Sequence, residues 1–508
     1  MTTVQETETG NQPLISHPWV LLAVAVVVGV AVDVLILRHP AGLGVSVVGL
    51  LLASGVLVGH TFFGLHTTRE AFVLALALGF WSALISLRSA PGLAFLNSVA
   101  ALLLLGLTFR LLKSGGLVRW TIAEYIWSGF ATLGGWLSQP LGFFSVDFNG
   151  RLPKQIQIGR AGRVLIGALL AVPLVGIFAA LFASADPVFE GYVNSLLSID
   201  IDLSSIAGHL VAVLVVTWLA IGGARYAIVP HPESPRLAPR RILGSVEAAT
   251  MLVLMNLLFL AFVLVQSAYL FGGRETLSRA GLSHSEYARR GFFELVVVGS
   301  LVVGLVLVID WMVQRGPARS RTVDLLHGGL IALTSVVLVS ALQRMLLYTE
   351  AFGLTELRLY TTMFMAWVFL MLGWLVVTAL RDRRATFALG AFISALVVLA
   401  GLTIANPAGI IVRTNVARGA AATVPDLDVA YLVNLGPDAV PALIAALDEI
   451  QPCRTRSDLA GLLLREWADG FAPDKTDWRG STWSAFRAKR VLAEFEPHLV
   501  TVASGDCR

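Results

Sequence analysis

Long apolar runs alternate with short polar breaks along most of this chain. A helix needs roughly 20 apolar residues to cross the ~30 Å hydrocarbon core of a bilayer. Runs of about that length cover 19–37, 41–59, 71–87, 92–112, 161–183, 203–223, 243–271, 292–312, 323–347, 359–380 and 386–405, which predicts about eleven spans. Breaks such as Arg88-Ser89-Ala90-Pro91 and Arg381-Asp382-Arg383-Arg384 separate them. The stretch 117–148 differs. It carries Trp120, Trp127, Trp136, Phe143 and Phe144, with Arg119 and Glu124 near its start, a pattern that suits an interfacial helix or a re-entrant segment.

After residue 405 the pattern changes. Leu432 and Leu435, Leu443 and Leu447, and Leu459, Leu462 and Leu463 recur at helical spacing among charged residues. Asp426 and Gly436 suit helix starts, with Pro437 and Asp438 in a first turn. The predicted fold is all-α: a polytopic transmembrane helix bundle with a small helical C-terminal domain. Its parts are a tail at 1–18, a four-helix membrane segment at 19–112, an interfacial and cytoplasmic loop at 113–160, a seven-helix core at 161–405 and the domain at 406–508.

Composition narrows the class. Hydrophobic residues make up 56% and charged residues 14%, against about 25% charged in a soluble domain. A soluble enzyme, a disordered chain and a disulfide scaffold are excluded. The net charge of +4 gives no case for a nucleic-acid partner, because membrane proteins concentrate Lys and Arg in cytoplasmic loops. Residues 1–18 hold Glu6 and Glu8 but no basic residue, so the first span is expected to stay as an anchor.

The same bias gives an orientation. With a cytoplasmic N-terminus, the cytoplasmic loops hold sixteen basic residues, among them Arg69, Lys113, Arg225, Arg321 and Arg381, and the other side holds seven, among them Arg38, Arg88 and Arg358. Only the first span disagrees, since an acidic tail followed by Arg38 favours the reverse. The expected location is the bacterial cytoplasmic membrane, multi-pass, with the C-terminal domain extracytoplasmic. Both cysteines, Cys453 and Cys507, fall in that domain, which makes a disulfide between them a candidate.

Several strings occur together: Ser184-Ala185-Asp186-Pro187-Val188-Phe189, Tyr269-Leu270-Phe271-Gly272-Gly273, 286–295 with Glu286-Tyr287-Ala288-Arg289-Arg290 at its head, Arg344-Met345-Leu346-Leu347-Tyr348, Asn406-Pro407, and Asn415-Val416-Ala417-Arg418. This combination resembles the bacterial polytopic membrane family catalogued as domain of unknown function 4173, related to 4153, over roughly 160–450. The resemblance implies a multi-span bacterial membrane protein and no established activity.

In the expected topology these strings share the outer side. They define a candidate outward polar cluster of Asp186, Glu286, Arg289, Arg290, Glu294, Arg344, Arg413, Asn415 and Arg418. Glu286, Arg290 and Glu294 form an i, i+4, i+8 ladder, and Glu294 and Arg344 are candidate partners. The ladder reads either as a site for an ion, proton or anionic headgroup, or as a structural network that fixes helix ends. The structural reading is the simpler one.

Asp186-Pro187 reads as a helix stop or turn. Glu247, Asn256 and Gln266 make no single stripe on their helix, which favours interhelical hydrogen bonds over a transport lane. Gly55 and Gly59 give a weak small-residue packing signal. No metal, nucleotide or nucleophile-elbow signature occurs, so no catalytic, cofactor or metal residue is assigned.

The leading function is a non-enzymatic envelope scaffold or sensor with an outward-facing working surface. Its expected partners are the lipid bilayer and an extracytoplasmic protein or lipid; the sequence gives no oligomeric state. The alternative is a transporter of an ion or small solute. A lipid-linked glycosyltransferase fits less well, because the first external loop is only Arg38–Pro40.

Overall fold

The computed structural model describes residues 15, 17–37, 39–63, 68–112, 120, 122–148, 175, 182, 186, 188–189, 203–228, 243–271, 292–313, 321–380, 386–419, 427–469 and 477–505. Within them lie sixteen α-helices: α1 Pro18–Val32, α2 Leu43–Phe63, α3 Arg69–Ile85, α4 Pro91–Leu111, α5 Ile122–Gly142, α6 Leu203–Ile228, α7 Ser245–Phe271, α8 Phe292–Met312, α9 Arg321–Phe352, α10 Glu356–Leu380, α11 Phe387–Ala405, α12 Pro407–Gly419, α13 Val429–Asn434, α14 Val440–Ala445, α15 Cys453–Asp469 and α16 Trp483–Ala503. The strand-like pairing among the described residues is a single bridge, Leu243 to Val313.

Eight of these helices are long and apolar enough to cross a membrane: α1 with its π-helical extension Asp33–Leu37, α4, and α6 to α11. The count of about eleven is not reached among the described residues. The apolar part of α2, Leu43–Leu57, is shorter, α3 has 17 residues, and the expected span 161–183 falls almost wholly outside the described residues. The bundle is turned out towards an apolar solvent. Leu254, Leu257, Leu258 and Leu264 of α7 are exposed, while Leu252, Leu330 and Leu372 fill the interior, with small or polar residues at some close contacts. In α2 close approaches fall at Gly44, against Leu35 O, and at Gly49, where an added Cβ would meet the Ser82 side chain of α3, while Gly55 faces open space. The packing signal is therefore not seen at Gly55, and the surroundings of Gly59 lie outside the described residues.

Hydrogen bonds sort the helix ends into two sets. At one end, the Leu43 amide donates to Ser481 O (3.0 Å) and the Trp483 amide to Ser86 O (2.7 Å). The Glu356 amide donates to the Tyr431 hydroxyl (3.0 Å). The C-terminal domain therefore sits over the connections α1–α2, α3–α4 and α9–α10. At the opposite end, the Thr68 amide donates to Leu112 O (3.3 Å) and the Leu243 amide to Met312 O (3.1 Å). With 32 residues, α9 is about 48 Å long at 1.5 Å per residue. It outreaches the hydrocarbon core, and its last turns meet the domain.

Helix α5 is amphipathic in an inverted sense. Ser128 and Thr132 are buried, whereas Ile126, Trp127, Phe130, Leu133 and Leu137 are exposed. Three of its ring contacts lie towards the opposite end. Tyr125 meets Phe392 near the start of α11 (6.2 Å), Trp136 meets Phe109 near the end of α4 (5.7 Å), and Phe148, in the π-helical continuation Phe143–Phe148, meets Trp19 at the start of α1 (4.4 Å). The helix therefore runs across the bundle rather than through it. A buried ion pair holds its far end: Arg225 Nε donates to Asp147 Oδ2 (2.7 Å), and the Ile15 amide donates to Asp147 Oδ1 (3.3 Å).

The C-terminal domain has the reverse polarity. Leu432, Leu443, Leu447, Leu459, Leu463 and Leu492 form its interior. Two expected helix starts are corrected. The Asp428 side chain, not Asp426, caps α13 by accepting from the Tyr431 amide (2.9 Å). Gly436 lies in a turn with φ +78°, and the next helix begins at Val440. Asp426 itself lies outside the described residues. Asn406 takes the left-handed conformation (φ 58°) that stops α11, and Pro407 opens α12, so Asn-Pro turns the chain from the bundle into the domain.

Candidate functional site

Two polar nodes hold the seam between bundle and domain. The first is built on the α3–α4 connection. Pro91 is the first residue of α4 and Ala90 has no capping side chain, so the amides entering this helix need an acceptor from elsewhere. Asp438 supplies it: its Oδ2 accepts from the amides of Ser89 (2.7 Å) and Ala90 (2.9 Å). A carboxylate at a helix N-terminus also meets a favourable dipole.

The mirror-image arrangement lies alongside. Arg88 donates from Nε to Thr403 O and from a terminal nitrogen to Ile404 O, both at 2.7 Å, in the last turn of α11. A cation there satisfies carbonyls that the helix leaves open. Arg88 and Asp438 face each other at 3.7 Å, and Asp438 is almost fully buried. Ser89 Oγ lies 2.5 Å from Thr482 Oγ1 and 3.0 Å from Ser484 Oγ, and Asn406 Nδ2 donates to Asp438 O (2.9 Å). Burial pushes the Asp438 carboxyl above its ordinary range, against the pull of Ser484, the Ser89 amide and Arg88. Burial likewise lowers Arg88, opposed by Asp438.

The second node clasps the α9–α10 connection. Asn415 pairs with the peptide of Leu354 in both directions: its Oδ1 accepts from the Leu354 amide (2.7 Å) and its Nδ2 donates to Leu354 O (2.8 Å). Arg418 donates to Ala351 O (3.3 Å). Gly353 supplies the turn at φ +81°. Arg358 bonds Gly353 O and lies over the Tyr348 ring, 4.1 Å from its centroid. Both nodes are buried hydrogen-bond sets, a chemistry that fastens one body to another.

Of the sequence-predicted residues, Asn415 and Arg418 meet in this seam. Asp186 is exposed, and its Oδ1 accepts from the amides of Val188 (2.7 Å) and Phe189 (3.3 Å), which is the turn read from Asp-Pro. Arg413 is exposed on α12. Glu294 is exposed in the first turn of α8 and Arg344 is half-buried on α9. Among the described residues no ion pair joins these two. Glu286, Arg289 and Arg290 lie outside the described residues, so the ladder does too. Cys453 is disulfide-bonded; Cys507 also lies outside the described residues.

Sequence reasoning missed the Arg88–Asp438 node. Arg88 read as a polar break and Asp438 as a first-turn residue. It also missed the pairing of Asp33, in the π-helical extension of α1, buried and 2.5 Å from His209 Nδ1 of α6. The polar residues of α7 behave as expected at Asn256, which donates to Leu252 O (2.7 Å) within its helix and to Leu326 O of α9 (3.0 Å). Groups of three or more metal-binding side chains are absent among the described residues.

Comparison with known proteins adds one finding. No curated protein matches the chain, and no solved structure does. The family model described as Domain of unknown function (DUF4153) matches residues 75–446. The match starts well before the expected 160, and it selects 4153; the finer assignment to 4173 is not confirmed. It spans the bundle from α3 onwards and the first helices of the C-terminal domain, including the Arg88–Asp438 and Asn415–Leu354 pairs of the seam but not Thr482 and Ser484. An integral membrane protein by its apolar helices, the chain belongs to the family Domain of unknown function (DUF4153).

Proposed function

We propose that this protein is a non-enzymatic scaffold or sensor of the bacterial cytoplasmic membrane, with a cytoplasmic N-terminus and an extracytoplasmic C-terminal domain. The observation that carries the reading is the seam. The domain caps the N-terminus of α4 through Asp438 and grips the α9–α10 connection through Asn415. A partner bound to the domain therefore pulls on the ends of membrane helices. The orientation is supported by the basic residues: Arg69, Arg225 and Arg321 lie at the end opposite the domain, and short cytoplasmic loops collect such residues.

Two measurements test this. An alkaline phosphatase fusion at the C-terminus is expected to be active and a fluorescent-protein fusion dark; the reverse pattern overturns the orientation. In a strain that depends on the gene, variants of exposed residues on the domain are expected to abolish function while His327→Ala, at a buried position of α9, and Asn256→Leu keep it. Loss of function at the intramembrane positions alone would favour transport instead.

A further inference from the structure

One face of the C-terminal domain is unlike the rest of its surface. On α16, Ala488, Leu492 and Leu499 are buried. The opposite face carries Trp483 and Phe486, each 58% exposed, and the exposed Arg487 and Arg490. At 3.6 residues per turn these four fall within an arc of about 100°. The two rings touch, with centroids 5.9 Å apart, and Trp478 is exposed just before them. A soluble domain gains nothing by holding three large aromatic rings in water.

Their height relative to the membrane is fixed by the backbone. The Trp483 amide donates to Ser86 O, the cap of α3, and Ser481 O accepts from the Leu43 amide, the first residue of α2. Trp483 thus sits level with the ends of apolar helices whose own outer faces, such as Phe80 of α3 and Leu50 and Leu51 of α2, are exposed. At this level a bilayer passes from acyl chain to headgroup, where Trp residues concentrate. Arg487 and Arg490 follow by one and two turns, at the reach of phosphates, and the acidic Glu494 and Glu496 come later.

We propose that Trp478, Trp483, Phe486, Arg487 and Arg490 form a lipid-contact face. It lays the start of α16 on the bilayer leaflet at the domain's end of the bundle, with anionic phospholipid headgroups against the two arginines. The inference does not depend on which side of the membrane the domain occupies.

The test uses the full chain in nanodiscs. Cys453 is disulfide-bonded, so a bimane thiol probe can be directed to F486C, with E494C as the control. A spin label on the lipid headgroup is expected to quench F486C about threefold more than E494C, and a label deep in the acyl chain much less. Replacing part of the phosphatidylcholine with phosphatidylglycerol strengthens the contact by up to about fivefold per arginine, the factor equivalent to about 1 kcal/mol. R487E/R490E removes that gain. Iodide quenching F486C as strongly as E494C would overturn the proposal. So would a probe shielded from both iodide and lipid labels, which would mean a protein covers the patch. Equal quenching with and without phosphatidylglycerol would overturn the headgroup assignment.

Discussion

The membrane bundle and the C-terminal domain both bury apolar side chains, but only the bundle also turns leucines outwards along its helices. In α7, Leu257 and Leu258 point outwards and are more than half exposed, while Asn256 points at α9. In the domain, Leu443 and Leu459 are fully buried, and Asp428 and Asp477 serve caps at the surface. The difference is the solvent. Lipid tails are as apolar as leucine, so burying leucine inside the bundle gains little, and helix association there rests on close packing and hydrogen bonds. Water makes burial the driving term in the domain. The seam must serve both regimes, and it does so by matching charged side chains to helix termini.

Cutting the seam is the strongest way to separate the two regions. Asp438→Ala removes the acceptor of two amides and leaves Arg88 facing no carboxylate. Breaking a buried pair from one side costs about 3–5 kcal/mol. The expected outcome is a split thermal transition in detergent, with the domain becoming protease-sensitive before the bundle. A single unchanged transition would show that the seam does not couple them.

Next come paired leucine truncations. Leu443→Ala in the domain is expected to cost about 2–5 kcal/mol, the range for a fully buried leucine. Leu257→Ala on the lipid face is expected to stay within about 0.5 kcal/mol, as for a side chain away from any packed contact. Equal shifts in melting temperature would break the comparison.

Asn415→Ala unpairs both polar groups of the Leu354 peptide, and each unsatisfied buried group costs about 1–3 kcal/mol. Hydrogen exchange of 351–356 is expected to accelerate, with exchange in α7 unchanged.

The smallest effect is a pH dependence. Because burial raises the folded-state Asp438 carboxyl, docking binds a proton more tightly than the free side chain does. The contribution is therefore fully present below the ordinary carboxylate value of about 4 and is lost as pH rises through the raised one. Lowering pH through the raised value should strengthen docking, by at most about 1.4 kcal/mol per unit. Asp477, held below the ordinary range by Arg479, loses its contribution only in stronger acid and leaves this window flat. The melting of Asp438→Asn against pH should lack the slope.

What the sequence determined is what depends on local pattern. The runs at 92–112, 203–223, 243–271 and 386–405 became α4, α6, α7 and α11 with ends shifted by a few residues, because twenty apolar residues in lipid must satisfy their backbone within the helix itself. The domain's interior was legible for a similar reason: Leu432, Leu443 and Leu459 mark one face of each helix. Asn406-Pro407 was legible as a unit, though its role in stopping one helix and opening the next needed the backbone angles. Only the tertiary structure decided which charges meet. Arg88 and Asp438, or Asp33 and His209, are brought together from distant parts of the chain, and no periodicity relates such positions. The direction of α5 was also decided in three dimensions. Its inverted faces fit lipid at any tilt, and the contacts of Tyr125, Trp136 and Phe148 with three different helices lay it across the bundle. Polar pairs in a membrane protein are few and individually placed, so each is fixed by packing geometry, whereas the apolar surface is repeated along the chain and can be read from it.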